Sequence, residues 1–157
     1  MNDEGKDVHT LALDAIADVR DCAVQMRAGA ASLQKELPKV RMEENLRAAT
    51  QGLCERLSEV SSDVAAEVGV LRDAALTAEL DAAGILGELS GLEATMMSVL
   101  AGFAELVEKL EQAGERDERC EPAFVLVIEA AGGLLQRFQT AKASTDALRA
   151  ATSGRLQ

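Results

Sequence analysis

Few side chains in this sequence lend themselves to chemistry: three cysteines, Cys22, Cys54 and Cys120, a single histidine, His9, and scattered carboxylate clusters. A Ser-His-Asp or Cys-His relay needs an imidazole beside a nucleophile in a formed pocket. His9 stands alone near the N-terminus, where it reads as an exposed or capping residue. A helical di-iron centre needs inward glutamates and two Glu-x-x-His pairs, which are missing. The cysteines are too far apart in sequence for a zinc knuckle. Glu43-Glu44 and the charged run from Glu115 to Glu121 read as solvated charge rather than cation sites. Gly87-x-x-x-Gly91 follows no strand and lacks a phosphate-loop lysine, so it reads as a helix end or a close helix approach. Met96 of the Met96-Met97 pair falls on an apolar row, where core packing is its default role. No catalytic residue, metal ligand or cofactor site is therefore expected.

The cysteines allow one sharper expectation. Pro38 marks a corner, with Cys22 sixteen residues before it (38 − 22) and Cys54 sixteen after (54 − 38). In an antiparallel helix pair both thiols then lie about 24 Å from the corner, at one height. A Cys22–Cys54 disulfide is geometrically open to such a pair and would contribute roughly 3–4 kcal/mol. It would place the chain in an extracellular setting, whereas reduced cysteines suit the cytoplasm. Cys120, in the charged stretch "AGERDERCEP", would remain free or pair with another molecule.

The elements that carry these residues are helical. Of the 157 residues, 48 % are hydrophobic and mostly Ala, Leu and Val, while only 2 % are aromatic. Ala and Leu favour helices, and aromatic strand formers are nearly absent. A seven-residue step links Ala12, Val19, Met26, Leu33 and Val40, with Val8, Ala15, Cys22 and Gly29 alongside. This gives a first helix over about 6–36, ended by Pro38. Leu57, Val64, Leu71, Ala78, Ile85, Leu92, Val99 and Leu106 continue the step. Ala75, Ala82, Leu89, Met96, Phe103 and Leu110 run beside them. One helix over 39–113 would be roughly 110 Å long. Gly84, Gly87, Gly91 and the capping box "SGLE" (Ser90 to Glu93) place a bend or break at 84–91. A last helix over 121–152 follows Pro122 and frays near "TSGRLQ". It carries Phe124, Ala131, Phe138 and Thr145, with Val127, Leu134, Ala141 and Leu148 beside them. Ile128 and Leu135 widen its stripe, as expected for a helix touching several neighbours.

The expected fold is all-α: an elongated antiparallel helical bundle, coiled-coil-like, of three or four long helices in a single domain over 1–157. The formal net charge of −11 disfavours nucleic acid and anionic membranes as partners. Lys35, Lys39 and Arg41 read as a solvated corner rather than an anion site. "MNDEGKDVHT" has no apolar core for a signal peptide, and the uncharged runs "ATMMSVLAGFA" and "AFVLVI" are too short to span a bilayer. The chain is thus expected to be soluble as written, or the mature part of an exported protein.

Two functions follow as expectations. One is a non-catalytic spacer or protein-interaction module, working through helix faces with a protein partner or by self-association. The other comes from the polar start "NDEGKDVHTLALDAIADVRDCAVQM" and the Ala-rich heptads. In these the chain resembles the Ala- and Glu-rich helical surface antigens of trypanosomes. That resemblance implies a rod-like bundle on a cell surface, shielding the membrane or contacting host molecules.

Overall fold

A computed structural model describes residues 7–155, and these form four long helices with no strand among them. The helices are α1 (Val8–Glu36), α2 (Glu44–Leu76), α3 (Ala82–Arg116) and α4 (Glu121–Arg155). They run antiparallel in turn around one core, α1 and α3 each packing against both α2 and α4. The longest have 35 residues, so the rod is about 50 Å long. This is the expected all-α antiparallel bundle, with four helices.

The heptad rows are its core. Ala12, Val19, Met26 and Leu33 are buried on α1, as are Leu57, Val64 and Leu71 on α2. Leu89, Met96, Phe103 and Leu110 on α3 face Val127, Leu134, Ala141 and Leu148 on α4 across the same interior. Small residues let the helices close in. A methyl on Gly29 would stand 3.0 Å from the Leu134 side chain, and one on Gly102 2.8 Å from that of Leu53. By length and composition alone α3 could cross a membrane, yet here its apolar row is buried in the bundle.

Asp7 caps α1, its carboxylate accepting from the Thr10 N–H at 2.7 Å. The expected start at Lys6 lies outside the described residues. At the far end Pro38 opens a 3-10 turn over Leu37–Lys39. Arg47 then donates to the carbonyls of Leu37 and Val40, each at 2.7 Å, clasping the corner. The α3–α4 corner is at the same end of the rod. Arg41–Asp117 (3.7 Å) and Arg116–Glu43 (3.1 Å) tie the two corners together.

The break between α2 and α3 comes at Thr77–Asp81, ahead of the expected window of 84–91. The N–H of Glu79 reaches the Ala74 carbonyl at 2.9 Å and that of Ala78 the Ala75 carbonyl at 3.3 Å. This is a Schellman ending, with Ala78 at φ 60 in the position usually given to glycine. Asp81 caps α3 by accepting from Gly84 N–H at 2.9 Å. Gly84, Gly87 and Gly91 all lie inside α3, and "SGLE" is mid-helix, so Ser90 caps nothing. At the other end of the molecule "AGERDERCEP" is mostly helical. Only Asp117 separates α3 from a 3-10 turn, Glu118–Cys120, that runs directly into α4. α4 runs to Arg155, three residues past the expected end at 152, and the Thr152 hydroxyl donates back to the Leu148 and Arg149 carbonyls.

Candidate interaction surface

The three cysteines are free, buried thiols. Helix ends, rather than Pro38, set their heights: Cys22 is fourteen residues before the end of α1 (36 − 22), and Cys54 ten after the start of α2 (54 − 44). That offset of four residues is roughly 6 Å along the axis. The count from Pro38 treats residues 37–43 as a point, whereas they form a corner of several residues. Cys22 Sγ lies 3.7 Å from the Met26 sulfur. Burial, and secondarily the charge of Glu93, pushes the Cys22 thiol up to about 11. Burial and Glu55 do the same for Cys54, also to about 11. Such thiols stay protonated at neutral pH and are poor nucleophiles. Cys120 is tucked beneath its corner rather than displayed for intermolecular bonding, with Sγ 4.0 Å from Asp117 Oδ2.

The other sequence candidates disperse. His9 is exposed on the first turn of α1, far along the rod from Cys54 and Cys120. Lys39 pairs with Glu36 at 3.3 Å and Arg41 with Asp117, so the basic corner is internally compensated. Arg119 binds Asp117 through its side chain and main-chain N–H, holding that carboxyl below the usual range. Among the described residues no cluster of histidine, cysteine and carboxylate side chains could hold a metal ion. Gly87 and Gly91 face open space, so they mark no close helix approach.

Two features escaped the sequence reading. Glu93 is 7 % exposed, and its Oε1 has no hydrogen-bond partner. It occupies the apolar row between Leu89 and Met96, a place that its fit to the capping-box pattern conceals. Burial raises its carboxyl above the ordinary range; hydrogen bonding to Thr145 and the charges of Arg149 and Lys142 act in the opposite sense. The Thr145 hydroxyl itself donates to the Ala141 carbonyl at 3.2 Å. Cys22 lies near enough to feel the charge of this carboxyl, but its thiol is itself raised to about 11 and stays protonated at neutral pH.

The second feature is a groove of about 450 Å³ along the outer seam of α3 and α4. Met97, Leu100 and Val107 form one wall, and Ile128, Gly132 and Leu135 the other, above the buried Phe103. No charged residue lines it. Met97 is 40 % exposed, and Ile128 and Leu135 are each 42 % exposed. Gly132 lines the groove and faces open space, with nothing within 4 Å of where its Cβ would be. At the Asp117 corner Val125, three residues before Ile128 on α4, borders a second hollow of about 550 Å³, lined also by Val40, Leu126, Glu118, Glu121 and Glu129. Concave, mostly apolar surfaces of this kind are where proteins take up ligands and partner helices.

Comparison with protein-family models, curated proteins and solved structures finds no match for this chain.

Proposed function

We propose that this protein is a non-catalytic interaction module: a four-helix rod that offers the α3/α4 groove to a protein partner. The observation that carries this reading is the uncharged groove, with Met97, Ile128 and Leu135 left in water on a chain of net charge −11. Exposed apolar side chains gathered into one hollow are what a partner-binding face needs, whereas singly scattered ones mean little. Among the described residues Cys22 and Cys54 are buried, protonated thiols and His9 stands apart from them, which favours binding over chemistry.

A photo-cross-linking side chain at Ala104, in the groove, tests this in cells that express the protein. The same group at Gln25, exposed on α1 across the bundle, is the control. Discrete protein adducts from position 104 and none from 25 are expected. The same adducts from both positions, or none from either, would refute the reading.

A further inference from the structure

We infer that the occupant of this groove is an amphipathic helix carrying lysine or arginine at one end, a step that rests on the interaction reading above. The groove lies between two antiparallel helices, so its ridges run lengthwise and suit a third rod with apolar residues every three or four positions. The exposed strip itself has that spacing. Val125, Ile128 and Leu135 are three and seven residues apart on α4, which spans roughly 15 Å, or about three turns of a docked helix.

Charge then selects the partner. The middle of the groove carries none, but Glu118, Glu121 and Glu129 line the separate hollow at the corner end, bordered by Val125 and Val40. The bases of this region are already engaged. Lys109 pairs with Glu105 at 3.5 Å, Arg116 with Glu43 at 3.1 Å, and Arg119 with Asp117 at 3.1 Å. Among the described residues none of Glu118, Glu121 and Glu129 has an ion-pair partner. A helix laid over Val125 partly removes these carboxylates from water, so a neutral end loses hydration there without compensation. A second copy of this acidic chain would bring like charge to the same place. Basic side chains at that end of the helix supply both the missing partners and attraction during encounter.

The test uses three fluorescein-labelled peptides of about 18 residues, long enough to cover the strip. They share one leucine stripe, with lysine, glutamine or glutamate at the polar positions, and anisotropy is read at low salt and near 0.5 M salt. Expected is saturable binding of the lysine peptide, roughly tenfold tighter than the glutamine peptide and weakened by salt. Replacing Glu118, Glu121 and Glu129 together by glutamine should remove most of that difference. Gly132→Leu, which fills the groove from a position with open space around it, should weaken every peptide about tenfold or more. Equal binding of the lysine and glutamine peptides, both released by Gly132→Leu, overturns the basic partner and leaves the groove standing. Binding that ignores Gly132→Leu, or no saturable binding of any peptide, overturns the groove reading itself. Circular dichroism of each variant confirms that the helices persist.

Discussion

Replacing Gly87 and Gly91 together with alanine should stabilise the bundle. Both glycines lie in the interior of α3, and a methyl at either position would meet nothing within 4 Å. No steric cost therefore opposes the gain in helix propensity, about 0.8–1.0 kcal/mol for each glycine replaced by alanine in a helix interior. Two such exchanges amount to about 2 kcal/mol. For a domain of 157 residues this corresponds to a rise in Tm of roughly 4–8 °C. Ala78→Gly is the counterpart at the place where the chain does turn. Ala78 holds φ 60, a left-handed conformation that costs an L-residue about 1–2 kcal/mol. Glycine removes that cost but loses more freedom on folding, about 0.5–1 kcal/mol, so a net gain of about 0.5–1 kcal/mol remains. Thermal melts followed at 222 nm, with urea titration for free energies, read both exchanges. If Gly87→Ala/Gly91→Ala melts below the parent and Ala78→Gly brings no gain, α3 does not run unbroken through 84–91 and the turn has been misplaced.

Glu93→Gln should have little effect in acid and become stabilising as the pH rises. The folded-state carboxyl is raised by burial, so the wild type keeps its stability below the ordinary carboxylate range and loses it as pH climbs through the raised value. By pH 8 a buried, partly unpartnered carboxylate costs about 1–3 kcal/mol, which the amide avoids. Urea midpoints at pH 4 and pH 8 check this, and a difference between variant and parent that does not change with pH would sink it. For the cysteines, denaturation without reductant should expose three reactive thiols, since all three are free. The native protein should react slowly with Ellman's reagent at pH 8, because Cys22 and Cys54 are buried and raised to about 11. A single reactive thiol after denaturation would instead indicate a disulfide.

The core was legible because a heptad pattern states which face of each helix is buried, whatever the partner. Met26, Leu57, Phe103 and Leu148 could be named as interior residues without knowing which helices meet, and all four are buried. The turn at Thr77–Asp81 was not legible for a related reason. Ala78 lies on the seven-residue row that links Leu71 to Ile85, so the five-residue link preserves the phase of the pattern while the chain reverses. Its sequence, "TAELD", contains neither glycine nor proline, and the conformation that marks the turn is borne by an alanine. Asp81, three residues before Gly84, was the remaining signal, a helix cap that the glycines beyond it overshadowed. The cysteine arithmetic took Pro38 as a point, and at that finer scale a corner of several residues counts as length.

The groove was written in the sequence and read as something else. Ile128 and Leu135 broaden the apolar stripe of the last helix, and the natural inference is that a broad stripe meets more neighbours. In the bundle α4 already meets its neighbours through Val127, Leu134, Ala141 and Leu148, all buried. The additional residues bury only part of their surface in folding, each remaining 42 % exposed. Gly132 sits between Ile128 and Leu135 in the middle of a helix, where glycine costs about 1 kcal/mol relative to alanine. It lines the groove and faces open space. Packing within the chain accounts for neither the exposed apolar pair nor the glycine. A helix laid along the seam would account for both, burying the two side chains and using the space that the glycine leaves.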